Sequence, residues 1–255
     1  MGLVQEVKSY YASKQIAPVE FRCPHQSDCQ RDCQTFTESR EPYIGVEYER
    51  HSDPTVPRLL FLSLDPGSYD ENHPKEPSER TIEAQRELEA REFTKGETER
   101  FRTENGGTYV HWRQTYEMAK VLLEPFRPRL SLQGVGSYFA HTDSAKCCMN
   151  NDGRRQAAGR LFRNCREFIP GEIVVLQPDV LVTQGKMAKR AIEGSFPLVQ
   201  EADASTWSPA VLDVAGRSVL WLQCHHPRYG GFFTQWDQCK AGWTRAVAAW
   251  QEVRR

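Results

Sequence analysis

Residues Leu59–Asp70 read Leu-Leu-Phe-Leu-Ser-Leu-Asp-Pro-Gly-Ser-Tyr-Asp, an apolar run of strand length that ends abruptly in Asp65-Pro66-Gly67. This pattern is typical of a buried parallel strand whose carboxyl end opens into a loop. In open α/β sheets ligands bind in the crevice beyond such strand ends, and the Pro-Gly pair favours a tight turn there. The alternative is a simple turn in which Asp65 caps the next segment, so other stretches must decide between the two.

Three further strands are predicted, and each also runs into polar residues. They are Gly136–Thr142, followed by Asp143; Pro178–Gly185, followed by Lys186; and Val219–Cys224, followed by His225 and His226. If the strands are parallel, all four ends lie at one edge of the sheet and form a site. A helix is predicted to begin at Lys186, and its backbone amides and basic side chains are expected to bind an anion.

The whole chain, residues 1–255, is expected to fold as one α/β domain with a charged insert at about residues 71–104. The middle of the insert, Thr81–Phe93, has helix-forming composition and is interpreted as a solvent-exposed helix or lid, with a solvated excursion as the preferred alternative. No apolar stretch approaches a membrane span and the first residues carry no signal-peptide core, so we expect a soluble cytoplasmic monomer that does not bind membranes. No Gly-rich phosphate loop is present, so we expect no nucleotide cofactor.

The charge and the cysteines leave two questions open. A formal net charge of −1 neither indicates nor excludes nucleic-acid binding, which depends on a local basic face. Five of the eight cysteines are candidate metal ligands: Cys23, Cys29 and Cys33 in one polar loop, Cys147 after the second strand, and Cys165 in a helical stretch. A four-thiolate site drawn from them suits zinc or a [4Fe–4S] cluster equally well by ligand type.

Taken together, these segments resemble the uracil-DNA glycosylase superfamily, and in particular its iron–sulfur branch. The matching segments, in the family's order and spacing, are Leu64-Asp-Pro-Gly67, Thr142-Asp-Ser-Ala-Lys-Cys147, Cys165, Pro178-Asp-Val-Leu-Val-Thr-Gln-Gly185 and His226-Pro-Arg228. The resemblance covers residues 23–235 apart from the charged insert. It implies a three-layer α/β/α fold with a central four-stranded parallel sheet, and a [4Fe–4S] cluster in place of zinc.

The resemblance also implies the cluster ligands. The family uses two amino-terminal cysteines where this loop offers three, and position favours Cys29 and Cys33, with Cys23 as the alternate. Cys147 and Cys165 complete the set.

A monofunctional DNA glycosylase is the function that the resemblance implies: it flips a pyrimidine nucleotide out of double-stranded DNA and cleaves its N-glycosidic bond. In this reading His226 donates to pyrimidine O2 and stabilises the departing base anion, while Asp65 positions water and stabilises the cationic sugar. Tyr109 stands where the family places the aromatic residue that stacks on the base. The strand ends that face Asp65 contain no Lys, so a lyase step through a Schiff base is not indicated.

Three departures from the family pattern bear on the substrate. Gly67 stands where classical family members place a Tyr that blocks substituents on pyrimidine C5, so that wall is absent. Asp143 replaces the Asn that reads uracil, and an ionised carboxylate only accepts hydrogen bonds, which suits the exocyclic amine of cytosine. Arg228 replaces the Ser of the family's His-Pro-Ser. The changes at Gly67 and Asp143, together with superfamily members that act in phage defence, predict a cytosine with a large C5 substituent, such as the hydroxymethyl or glucosylated cytosines of some phage genomes.

Contacts to the DNA are predicted for five side chains: Arg154, Arg155, Lys186, Arg228 and Tyr229. For Arg154, Arg155 and Lys186 the alternative is ordinary surface charge. For the whole protein the alternatives are a uracil-DNA glycosylase of base-excision repair, an iron–sulfur DNA-binding protein without catalysis, and a zinc-stabilised hydrolase of unrelated fold.

Overall fold

In the computed structural model, the described residues (2–31, 35–66, 76–94, 107–150, 159–200 and 209–253) form an α/β structure with one large sheet. The strands are β1 (Thr35–Thr37), β2 (Tyr43–Ile44), β3 (Leu59–Ser63), β4 (Phe139–Asp143), β5 (Cys148–Asn150), β6 (Val180–Gln184), β7 (Leu198–Gln200), β8 (Ala210–Val214) and β9 (Arg217–Cys224). The helices are α1 (Leu3–Ser13), α2 (Gln26–Gln30), α3 (Val46–Arg50), α4 (Ile82–Thr94), α5 (Gly107–Leu123), α6 (Leu132–Val135), α7 (Gly159–Cys165), α8 (Ile169–Leu176), α9 (Lys186–Ile192) and α10 (Phe232–Val253).

The large sheet has seven strands in the order β2-β4-β3-β6-β9-β8-β7. Its four central strands, β4-β3-β6-β9, run parallel, whereas β2 at one edge and β8 and β7 at the other are antiparallel to their neighbours. Strands β1 and β5 form a separate antiparallel pair. The prediction of a four-stranded parallel sheet was therefore wrong in extent: those four strands are the centre of a larger, mixed sheet.

A tight hairpin explains part of the difference. Val214 pairs with Arg217, and the two residues between them, Ala215 and Gly216, have φ angles of +52° and +82°. Positive φ at both central residues is the requirement of the two-residue turn that matches the twist of antiparallel strands. The turn folds β8 back onto β9, which adds strands beyond the four that the apolar runs predicted.

Strand β3 is buried on both faces, as its uninterrupted apolar sequence predicted. Leu60 and Leu62 pack in a core with α1, α8 and α9, while Leu59 and Phe61 pack in a second core with α5 and α10. Because successive strand residues point to opposite faces, this alternation requires a helical layer on each side of the sheet. The fold is thus a three-layer α/β/α arrangement.

Helix α4 lies in the charged insert and is anchored to the sheet, which corrects the interpretation of this stretch as a solvated excursion. The backbone N–H of Ile82 donates to Glu41 Oε2 at 2.9 Å. Arg86 donates to the carbonyl of Ile44 at 2.6 Å and to Glu49 Oε2 at 2.9 Å. The predicted helix is present, and its polar residues bind the edge strand β2 and its flanks.

None of the described helices is long and apolar enough to cross a membrane.

Candidate functional site

The carboxyl ends of the four parallel strands lie side by side. Ser63 at the end of β3 is in register with Asp143 on β4, and Gln184 at the end of β6 is in register with Cys224 on β9. At Gly185, where φ is +101°, an added Cβ would lie 3.2 Å from the Cβ of His226. The positive φ and the short distance both favour glycine at this position. The absence of a side chain on Gly185 lets the loop after β9 pack against the end of β6.

Asp143 is a buried carboxylate with one oxygen engaged. Arg40 Nη2 donates to Asp143 Oδ2 at 2.8 Å, and the Asp143 side chain is only 7% exposed. The other oxygen, Oδ1, is buried without a hydrogen-bond partner among the described residues. Leaving a buried acceptor unpaired costs roughly 1–3 kcal/mol, so Oδ1 is set up to accept a hydrogen bond from a ligand.

His226 is neutral and carries its proton on Nε2. The backbone N–H of Arg228 donates to His226 Nδ1 at 3.2 Å, so Nδ1 is the unprotonated nitrogen. Burial lowers the pKa of His226 to about 4; the charge of Arg228 acts in the same direction, and the Asp143 carboxylate opposes them. At neutral pH the ring therefore offers an Nε2–H donor.

A cluster of buried polar side chains fills the space behind these groups. Ser63 Oγ lies 2.8 Å from His141 Nε2, 3.2 Å from His111 Nε2 and 2.5 Å from Gln184 Oε1. Gln184 Nε2 donates in turn to Thr115 Oγ1 at 3.0 Å. Burial is the main cause that holds the pKa values of His111 and His141 well below their usual range. Helix α5 is thereby joined to three strand ends through neutral hydrogen bonds.

A buried ion pair braces the end of β4 from the opposite face. Lys146 Nζ bonds to Glu172 Oε2 and donates to Thr142 Oγ1 at 2.8 Å. The hydroxyls of Tyr11 and Thr142 donate to Glu172 Oε1 at 2.6 and 2.8 Å. Lys146 and Glu172 are 2% and 0% exposed, so the pair connects β4 to α1 and α8 inside the core.

The predicted catalytic and base-binding residues are partly described. Asp65 is half-buried in the loop that follows β3, at the same edge as Asp143 and His226. Tyr109 lies in the first turn of α5, two residues before His111, but its side chain is outside the described residues. Gly67 is also outside them. Their roles stay predictions.

Polar and aromatic side chains surround this edge. Lys186, the first residue of α9, and Arg228 are exposed, and Tyr229 is 58% exposed with its ring 4.8 Å from that of His225. The predicted phosphate contacts Arg154 and Arg155 lie outside the described residues.

Four of the five candidate ligand cysteines come together. Cys29, Cys147 and Cys165 are buried and Cys23 is partly buried, and each of Cys23, Cys29 and Cys165 acts electrostatically on Cys147. Burial is the main cause that raises the pKa of Cys165 to about 12; Lys146 opposes this rise, and the thiols of Cys29 and Cys23 contribute to it. The alternate ligand Cys23 thus joins the group, whereas Cys33, which the sequence favoured, lies outside the described residues.

Two hydrogen-bond donors already face the sulfurs. The backbone N–H of Lys146 lies 3.3 Å from Cys165 Sγ, and Asn164 Nδ2 lies 3.2 Å from Cys29 Sγ. Within the described residues, no group of three or more His, Cys, Asp and Glu side chains is arranged to hold a single metal ion. Four thiols are the ligand type of both a zinc site and a [4Fe–4S] cluster.

Sequence reasoning missed Arg40 and the cluster of Ser63, His111 and His141. Ser63 and His141 are the polar interruptions of otherwise apolar strands, and a buried polar residue in such a strand is a usable signal. Arg40 had no such signal, because its partner Asp143 is 103 positions away in sequence.

Comparisons with known proteins add little to this geometry. No family model matches the chain, and neither does any curated protein. Solved structures that match include a mutant of UNG, a uracil-DNA glycosylase, from Nitratifractor salsuginis. It is 12% identical over 95% of this chain and 96% of that one, with a TM-score of 0.34. Likeness at this level assigns no role to any residue.

Proposed function

We propose that this protein is a monofunctional DNA glycosylase, which flips a pyrimidine out of double-stranded DNA and hydrolyses its N-glycosidic bond to leave an abasic site. The observation that carries the proposal is the pair of complementary groups at one sheet edge: the buried, unpaired Oδ1 of Asp143 and the Nε2–H of a neutral His226. A base needs both kinds of contact, since its edge carries donors and acceptors.

The chemistry assigns one task to each group. The bond between the sugar C1′ and the base nitrogen breaks, and its electron pair leaves with the base. His226 donates its Nε2–H to pyrimidine O2, where the negative charge develops. Asp65 orients a water molecule toward C1′ and accepts its proton as the new C–O bond forms. Burial of His226 supports this role, because a neutral imidazole keeps its donor at neutral pH.

For the substrate we propose a cytosine that carries a C5 substituent. Arg40 already donates to Oδ2 of Asp143, so the unpaired Oδ1 is the carboxylate oxygen that would accept from the exocyclic amine. Uracil would present O4 to the same oxygen, acceptor against acceptor, at a cost of roughly 1–3 kcal/mol, or about 10- to 100-fold in rate. Room for a substituent on pyrimidine C5 is inferred from the sequence, in which Gly67 stands where classical family members place a Tyr. Phage DNA with hydroxymethylated or glucosylated cytosine is the proposed source, and antiviral defence the proposed role.

As cofactor we propose a [4Fe–4S] cluster held by Cys23, Cys29, Cys147 and Cys165. When bound, the cluster would tie the amino-terminal segment to the end of β4 and to α7. The N–H donors on Cys29 and Cys165 support thiolate ligation, because hydrogen bonds of this kind stabilise the charged form of sulfur.

Release of free base from defined duplexes tests the proposal. Four DNAs that differ only in one base (uracil, cytosine, 5-hydroxymethylcytosine or its glucosylated form) are incubated with the protein, and products are identified by mass spectrometry and alkaline cleavage. We expect release of a modified cytosine, and a loss of about 100-fold or more in His226→Ala and in Asp65→Asn. His51→Ala, at the opposite end of the sheet, is the matched control.

Each other outcome identifies an alternative. Robust uracil release with none from the modified DNAs would favour a repair enzyme. DNA binding without base release from any duplex would favour a non-catalytic DNA-binding protein. Near wild-type turnover in both variants would reject the mechanism.

A further inference from the structure

The ring of His111 lies flat against the ring of His226. Their centroids are 4.9 Å apart and their planes differ by 15°. His226 Nδ1 accepts from the backbone of Arg228, so one face and one edge of the imidazole are occupied. The hydrogen-bonding edge of His226 that stays available to a ligand is the one with the Nε2–H group.

A chain of hydrogen bonds anchors His111 at its Nε2. The hydroxyl of Thr115 donates to the carbonyl of His111 at 3.0 Å, so toward Gln184 it acts only as an acceptor. This turns the amide oxygen of Gln184 toward Ser63, whose only proton is donated to it. Toward the imidazoles Ser63 Oγ is then only an acceptor, 3.2 Å from His111 Nε2 and 2.8 Å from His141 Nε2. The two Nε2 atoms also lie 3.2 Å apart, so His111 is held at Nε2 by both Ser63 and His141.

We propose that His111 is a positioning residue that holds the His226 ring neutral and directs its Nε2–H toward the substrate. The inference rests on the proposed function for its catalytic meaning, but the stacked pair and its anchors are features of the protein alone. An imidazolium at position 226 would lose hydration on the face that His111 covers, which disfavours the charged form.

Several charged and titratable groups share the sheet edge at which the His226 ring lies. They are Asp65 after β3, His141 and Asp143 on β4, His111 on α5, Lys186 on α9 and Arg228 in the ring's own loop. Asp143 favours protonation of His226, but its charge is shared with Arg40, and Arg228 opposes protonation. Removing His111 changes solvent access while it leaves these charges in place.

Imidazole NMR of His226 in His111→Ala and His111→Phe tests the proposal without reference to activity. In the wild type we expect His226 to remain the neutral Nε2–H tautomer from pH 8 to pH 5. In His111→Ala its pKa should rise toward the usual 6.5, so that it titrates within this range. In His111→Phe the phenyl ring still covers the face, and His226 should stay neutral. If the alanine variant does not fold, His111→Asn, which also lacks a stacking ring, replaces it with the same expectation.

Kinetics supply the second measurement. Between pH 8 and pH 6 we expect kcat/KM for base release to fall about fourfold in His111→Ala and to stay level in the wild type and His111→Phe. The core variant Phe61→Leu, on the same face but away from His226, controls for general destabilisation and should leave the titration unchanged.

Two results would overturn the inference. In the first, His226 in His111→Ala titrates as it does in the wild type; in the second, His226 in His111→Phe titrates as it does in His111→Ala. Absence of base release by the wild type would instead reject the proposed function, and the NMR result would still decide the role of His111.

Discussion

Replacing Asp143 by Asn should reverse the base preference, because Arg40 determines which way the new amide faces. Arg40 only donates hydrogen bonds, and its Nη2 lies 2.8 Å from Asp143 Oδ2. The amide oxygen must therefore take that position, which places the NH₂ group where the unpaired Oδ1 now is. A donor replaces the acceptor that faces the substrate.

The size of the effect follows from the buried hydrogen bond. A mismatched buried pair costs roughly 1–3 kcal/mol, or about 10- to 100-fold in rate, in the wild type against uracil and in the variant against an amino-pyrimidine. The ratio of the two rates should thus change by about 10²- to 10⁴-fold. Loss of the charged partner of Arg40 should also lower stability by about 1–3 kcal/mol, or about 2–12 °C in melting temperature.

The assay is single-turnover base release from two duplexes, one with uracil and one with 5-hydroxymethylcytosine at the same position. Asp143→Ala is the control, since it removes the acceptor without adding a donor and should lower the preference without inverting it. The reasoning would be refuted if Asp143→Asn kept the wild-type ratio of the rates for uracil and 5-hydroxymethylcytosine. It would also be refuted if the Asn and Ala variants had the same ratio.

Three further outcomes are expected. Cys165→Ala should lower iron content and the visible absorbance of the purified protein, whereas Cys239→Ala, a thiol on α10, should leave both unchanged; equal iron in both would remove Cys165 from the ligand set. Glu172→Ala should destabilise the protein by about 3–5 kcal/mol in chemical unfolding because Lys146 is left buried without its partner, and a loss below about 1 kcal/mol would contradict the buried ion pair. Lys186→Ala should weaken DNA binding for all sequences alike and reduce the slope of log K against log salt by about 1, and an unchanged slope would remove Lys186 from the interface.

The fold was predictable for those strands whose burial requires a run of apolar residues in the sequence. Strand β3 is apolar from Leu59 to Leu62 because helices cover both of its faces, and β6 and β9 show the same pattern in their buried stretches. The strands β7 and β8 were not predicted. β7 is exposed along its length, so its sequence carries no core pattern.

The site was predictable at the strand ends and not beyond them. Asp143 and His226 follow apolar runs, so parallel strands bring them to one edge. The groups that contact these two side chains, Arg40 and His111, come from a loop and a helix. Their contacts depend on the three-dimensional approach of distant segments, which no periodicity in the chain encodes.

The central position of β3 has a consequence for synthesis. Leu59 pairs with Phe139 on one side and Val180 on the other, 80 and 121 positions later in the chain. At about 5–20 residues per second, a ribosome needs roughly 6–24 s to make the stretch between Leu59 and Val180. For the first 80 residues of that stretch, about 4–16 s, β3 has neither neighbour, and until β6 is made one of its hydrogen-bonding edges stays open. The nascent chain is therefore an expected client of chaperones, and slower growth at low temperature should raise the soluble yield.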